Sequence, residues 1–253
     1  MPSTNSDGVR IYYEVLGNAA GPPILLHHGF TGDWRDWQQF GYVDALGQDY
    51  RLLLLDARGH GASDKPHDPA AYAMDRRASD VLAVLDAASV EQVHYLGFSM
   101  GGRIGFDTAR RAPERLLSLM IGAAHPYASP APTTPPFPDG MAAWLAAVHL
   151  PSHVATPAFM ERELANDVEA LIAASNGRPN VEDVLPRLTM PVLAWAGEKN
   201  GPASRVREWV AQVPHATLVV LPDADHPAAI YRSDLVLPHL RAFLARVTQP
   251  ASP

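Results

Sequence analysis

The chain has 253 residues, 47% hydrophobic and 19% charged, which is enough apolar material for one large core and too little charge for a disordered chain. Its 20 Lys and Arg against 27 Asp and Glu leave a net charge of −7, and no basic block is present, so a nucleic-acid partner is not expected. The absence of cysteine excludes disulfides, thiolate zinc ligands and cysteine nucleophiles together.

No apolar run approaches the ~18 residues of a membrane span, and Met1–Arg10 is polar. The expectation is therefore no membrane partner, no secretory leader and a cytoplasmic location. In chain order, short apolar runs predict strands at Val9–Val15, Ile24–His28, Arg51–Asp56, Gln92–Phe98, Leu117–Ile121, Val192–Ala196 and Thr217–Leu221. Continuous apolar runs of this kind suit strands buried on both faces. Helical spacing falls between them, at Asp75–Ala88, Met100–Arg111, Arg205–Val213 and Ser233–Val247, with Pro113 just past the second. Strands alternating with helices predict an α/β fold with a mostly parallel central sheet flanked by helices. One segment breaks the rhythm. Residues 125–188 contain no convincing strand, the stretch 126–138 is crowded with prolines, and helices are expected at Met141–Leu150 and Pro157–Ser175. The chain thus divides into a core, 1–124 and 189–253, and a small helical cap, 125–188, inserted before the penultimate strand.

The strongest local signal is Gly97-Phe98-Ser99-Met100-Gly101, which follows a strand pattern and opens a helix pattern. This is the setting in which G-x-S-x-G forms a nucleophile elbow, a turn so tight that its flanking positions must lack side chains. It would raise the Ser99 hydroxyl above the carboxyl end of the sheet and place the Met100 N–H beside any oxygen bound there. An ordinary strand-to-helix turn with a capping serine is the competing explanation. His28-Gly29-Phe30-Thr31-Gly32, at the end of an earlier strand, can supply a second oxyanion donor through the Phe30 N–H, each such donor contributing ~3–4 kcal/mol. The His28 side chain is read as a structural hydrogen-bonder. Asp56-Ala57-Arg58-Gly59-His60-Gly61-Ala62-Ser63 is read as scaffold, with a buried Asp–Arg pair holding loops together. His226 lies after the last strand and before the last helix, where it can reach Ser99 and act as general base and then acid. Asp225, next to it, is read as solvent-facing or loop-capping.

On these motifs the chain resembles α/β-hydrolase-fold enzymes of the esterase, lactonase and carbon–carbon hydrolase kind, the 3-oxoadipate enol-lactonase-like branch most. The resemblance implies the triad order serine, acid, histidine, and a helical cap that shapes the acyl pocket. It also exposes a departure. The family's acid follows the penultimate strand in a stretch like G-E-x-D, but here the stretch is Gly197-Glu198-Lys199-Asn200. An asparagine oxygen can accept the histidine Nδ1–H but carries no charge, and its amide can flip and favour the wrong tautomer. In the serine-protease template that exchange costs roughly four decades in kcat. Three explanations stand: Glu198 substitutes as the acid, Asn200 is a weakened acid position, or hydrolysis is lost and the pocket serves binding or other chemistry.

The expected function is cleavage of a carboxylic ester or lactone with a mainly apolar acyl group through an acyl-enzyme, with a small-molecule substrate and neither metal nor cofactor. The alternative is a non-hydrolytic protein on the same fold, either a small-molecule binder or a cofactor-free lyase or oxygenase. Pocket residues are expected at Trp34, His125, Tyr127, Trp144 and Phe159, with Val148 and His149 on the same insertion helices. Arg103 is read as a surface residue of the helix after the elbow.

Overall fold

The computed structural model describes residues 2–134, 136–148, 150–175, 177–199, 201 and 203–248. Eight strands form one sheet: β1 Ser3–Ser6, β2 Val9–Gly17, β3 Pro23–His27, β4 Arg51–Leu55, β5 Val93–Phe98, β6 Leu116–Gly122, β7 Val192–Gly197 and β8 Ala216–Leu221, in the order β1-β2-β4-β3-β5-β6-β7-β8. Every pairing from β4 to β8 is parallel, and β2 pairs antiparallel with both β1 and β4. The seven expected strands are present within a residue or two. β1 was not foreseen, because Ser-Thr-Asn-Ser has no apolar signal and is a strand only through its ladder to Val9–Tyr12.

Alternate residues of one strand feed opposite cores. Leu53 and Leu55 join a layer with Val81, Val84, Leu85, Ile104, Phe106, Val206 and Trp209. Those residues come from α3 (Met74–Ala87), α4 (Met100–Arg111) and α8 (Ala203–Val210). Leu52 and Leu54 face the other layer, with Trp37, Tyr42, Leu46, Ile230, Leu240 and Phe243. These belong to α1 (Arg35–Gln39), α2 (Tyr42–Leu46), α9 (Ala228–Tyr231) and α10 (Ser233–Thr248). Both faces of Leu52–Leu55 are fully buried, which is why the run is continuously apolar instead of alternating. Each such leucine contributes ~1.5–3 kcal/mol by leaving water.

Residues 125–188 lie between β6 and β7 and contain α5 (Gly140–Val148), α6 (Pro157–Leu164) and α7 (Val168–Ala174). The single helix expected over Pro157–Ser175 is two. The Asp167 side chain accepts the Ala170 N–H at 3.0 Å and caps a new helix there, a local bond that competes with helix continuation. Ser129 and Arg178 form an isolated bridge within the segment. The segment is tied down by Asn166 donating to the Thr31 carbonyl at 2.9 Å, Gln39 to the Val154 carbonyl at 2.8 Å and Arg77 to the Ala174 carbonyl at 2.6 Å. No helix among the described residues is long and apolar enough to cross a membrane.

Candidate active site

The sheet delivers two loops to one place. β5 ends at Phe98, and Ser99 takes φ 51° and ψ −106° before α4 begins at Met100. A non-glycine residue at positive φ is strained and persists only when its surroundings hold it. Here they do: the Ser99 N–H donates to the Gly122 carbonyl at 2.8 Å, and its carbonyl accepts the Arg103 N–H at 2.9 Å. The flanking glycines are required by close approach. A Cβ on Gly97 would stand 2.6 Å from the backbone of Gly101, and one on Gly101 would collide with the carbonyl of His27. Gly101→Ala is therefore expected to destabilise the fold by at least ~2 kcal/mol, since rigid backbone cannot yield. A denaturant midpoint unchanged from the parent would contradict this.

The loop after β3 packs against the elbow. The Gly101 N–H donates to the His28 carbonyl at 3.1 Å, and a Cβ on Gly29 would lie 3.1 Å from the Phe98 ring and 3.7 Å from the Ser99 Cβ. The N–H groups of Phe30 and Met100 have no protein acceptor among the described residues. His28 is buried with both ring nitrogens engaged: Nδ1 lies 2.7 Å from the Gly29 carbonyl, and Nε2 accepts the Ala57 N–H at 3.0 Å. Nδ1 is therefore the protonated nitrogen, and burial pushes the ring's pKa down to about 4, keeping it neutral.

His226, half-buried between β8 and α9, places Nε2 2.9 Å from the Ser99 Oγ, with its ring 5.3 Å from that of Phe98. Burial lowers its pKa below the ordinary 6.5. The charge of Asp225 opposes that shift and the charge of Arg178 adds to it. The exposed Asp225 carboxylate accepts the Ala228 N–H at 2.9 Å and so caps the turn into α9.

Several sequence expectations are corrected. Glu198 is exposed, and its carboxylate accepts the Asp223 N–H at 3.3 Å across the β7 and β8 turns. Asn200 and His149 lie outside the described residues. Arg58 pairs with Asp80, through bonds of 2.7 and 2.5 Å, and not with Asp56. Asp56 instead accepts the N–H groups of Trp34 and Ala62, both at 2.8 Å. Trp34 packs against the core layer of Trp37 and Tyr42 and lines neither cavity at Ser99. Arg103 is buried and donates to the carbonyls of His125 and Pro179, joining the two ends of the insertion. His125 and Tyr127 stack on each other at 5.7 Å, and Tyr127 meets Gln212 and Arg205 on and beside α8. Neither lines a cavity at Ser99.

A cavity of about 360 Å³ opens on Ser99 and His226. Its walls include Phe30, Phe40, Phe98, Trp144, Leu145, Val148, Val154, Phe159 and Ile230, with Asp36 and Glu163 as its carboxyl groups. Trp144 and Phe159 are thus where the sequence expected them. Sequence reasoning missed Asp36 and Glu163: they are two isolated acids in polar stretches, and only the docking of α6 onto α1 brings them together. Arg162 pairs with Asp36, and burial pushes both carboxyls up. Among the described residues no three His, Asp or Glu side chains are grouped to hold a metal ion.

Comparison with known proteins agrees with this fold. The chain is 27% identical to a hydrolase from Pseudomonas aeruginosa PA01, with a TM-score of 0.82 over 95% of this chain and 96% of that one. It is 25% identical to the enol-lactonase from Burkholderia xenovorans LB400, with a TM-score of 0.81 over 96% and 100%. It is 35% identical over 127 residues to a non-heme chloroperoxidase from Streptomyces lividans, covering 49% of this chain and 44% of that protein. The chain spans about half the length of the curated relatives it matches, 44%, 43% and 65% for three of them. Residues 22–158 match the profile described as alpha/beta hydrolase fold, and with the strand order and the elbow described above, the chain belongs to the alpha/beta hydrolase fold family.

Proposed function

We propose that the protein is a serine hydrolase that cleaves a carboxylic ester or lactone with a mainly apolar acyl group. The observation that carries this reading is the 2.9 Å contact between His226 Nε2 and Ser99 Oγ at a strained elbow, on the wall of an apolar cavity. Neutral His226 takes the Ser99 proton as Oγ attacks the carbonyl carbon. The negative charge that grows on the carbonyl oxygen is held by the N–H groups of Phe30 and Met100. His226 then returns the proton to the leaving alcohol, and the acyl group stays on Ser99. A water that gives its proton to His226 attacks this ester, and His226 returns that proton to the Ser99 Oγ as the Oγ–acyl bond breaks and the acid leaves. The resemblance to a solved hydrolase and a solved enol-lactonase over nearly the whole chain supports the reaction class.

The pH dependence follows from the burial of His226. The ring must be neutral to accept the proton, and its pKa lies below the ordinary value. The kcat/KM for p-nitrophenyl butyrate is therefore expected to be flat at neutral pH and to fall tenfold per unit below an inflection under pH 6.5. An inflection above pH 7 would remove His226 from the role of base. Labelling by an alkyl phosphonate fluorophenyl ester should add one phosphonyl group, located to Ser99 by peptide mass. A label elsewhere, or none on a protein that turns over the ester, would overturn the assignment.

A further inference from the structure

A second cavity of about 360 Å³ meets Ser99 from the Met100 side. Phe30 lines both cavities, and its ring stacks on Phe137 at 6.0 Å as part of the partition. The ionisable groups of the two cavities differ in kind. The first carries Asp36 and Glu163; the second carries Arg77 and Arg178.

Neither arginine has a carboxylate partner among the described residues. Arg77 is buried, and its Nε and one terminal nitrogen donate to the Tyr72 and Ala174 carbonyls at 2.8 and 2.6 Å. Its remaining terminal nitrogen makes no protein hydrogen bond. The nearby Asp80 is committed to Arg58 through two bonds. Arg178 is exposed at the rim of this cavity; its backbone exchanges hydrogen bonds with Ser129 at 2.7 and 2.9 Å, and its side chain makes no protein hydrogen bond or ion pair among the described residues. Burial pushes the Arg77 pKa down to about 10, with the charges of Arg178 and Arg58 adding to the effect. For Arg77, a buried cation without a carboxylate partner of its own, a bound anion would supply the missing counter-charge. A planar guanidinium fork also suits a carboxylate better than any neutral group.

We propose that this second chamber is an anion subsite in which Arg77 and Arg178 take the free carboxylate of a substrate whose scissile carbonyl lies at Ser99. The proposal rests on the hydrolase reading and narrows it to esters or lactones that carry a carboxylate. The first cavity, walled mainly by apolar side chains, receives the uncharged part. The two chambers therefore fix the direction in which the substrate lies across Ser99.

The test compares kcat/KM for monomethyl glutarate and methyl pentanoate by proton release, in the full chain and in Arg178→Met. The parent is expected to prefer the monoanion by at least about tenfold, and Arg178→Met to lower that ratio by about tenfold. Arg77 also ties two backbone carbonyls, so Arg77→Met risks the fold; Arg178 makes no side-chain bond and carries the test. Calorimetric titration with glutarate gives a second readout that needs no turnover, with Kd expected to weaken about tenfold in Arg178→Met. Turnover of methyl pentanoate with no preference for the monoanion would overturn the subsite and leave the hydrolase reading standing. Glutarate binding that depends on Arg178, without turnover of either ester, would support the subsite and overturn the hydrolase reading. Glutarate binding that is absent, or unchanged in Arg178→Met, would overturn the subsite.

Discussion

Ser99→Ala is expected to lower kcat for p-nitrophenyl butyrate by about 10⁴- to 10⁶-fold, with the fold intact. The size follows from what is removed. Oγ forms the covalent bond to the acyl group, so without it His226 Nε2 has no hydroxyl to deprotonate at 2.9 Å. The oxyanion donors and the cavity remain, and their residual catalysis over water sets the floor. Alanine keeps the Cβ, so the backbone at φ 51° is no more strained than with serine. The strain is held by the bonds of the Ser99 N–H and carbonyl to Gly122 and Arg103, neither of which involves the side chain. A thermal midpoint within ~2 °C of the parent should accompany the loss of rate. Ester hydrolysis that persists within tenfold of the parent would refute Ser99 as the nucleophile and return the site to a binding pocket.

Asn200→Asp is expected to raise kcat for the same ester by a hundredfold or more. In the serine hydrolase mechanism His226 becomes an imidazolium in the transition state, and a carboxylate at the triad's acid position, which the resemblance assigns to residue 200, stabilises that charge while an amide does not. The burial of His226 increases the stake, because it already disfavours the charged ring. Glu198 is expected to stay out of this role, since its exposed carboxylate accepts the Asp223 N–H. Glu198→Gln is accordingly expected to change kcat by less than about threefold, as a surface substitution outside the reacting groups. The two variants discriminate in one experiment. A large gain from Asn200→Asp with a silent Glu198→Gln marks residue 200 as a weakened acid position. A silent Asn200→Asp with a large loss from Glu198→Gln would restore Glu198 as the supporting acid.

Much of the core was legible in the sequence because its strands are short, continuous apolar runs. Such runs arise when helices cover both faces of a parallel sheet, and period and length then place each strand within a residue or two. The elbow was legible for a related reason. Gly97 and Gly101 are glycines because backbone approaches them from His27 and from each other, so the geometry writes itself into residue type. The short elements were not legible. β1 has no apolar residue and exists through its ladder, and α1, α2 and α9 are four or five residues long, too short to show a period.

The sequence by itself determined the α/β class, the segment inserted between β6 and β7, and the choice of Ser99 and His226 as the pair to look for. Tertiary structure decided what surrounds that pair. It brought Asp36 of α1 and Glu163 of α6, 127 positions apart in the chain, to the wall of one cavity. It left Trp34, His125 and Tyr127 out of the cavity walls at Ser99, buried Arg103, paired Arg58 with Asp80, and placed Arg77 and Arg178 in the second chamber at Ser99. Backbone-dictated features leave a local signature, because glycine, proline and apolar periodicity answer to neighbours a few residues away. A charged side chain leaves none: whether it is paired, solvated or aimed into a cavity depends on which distant element the fold packs against it.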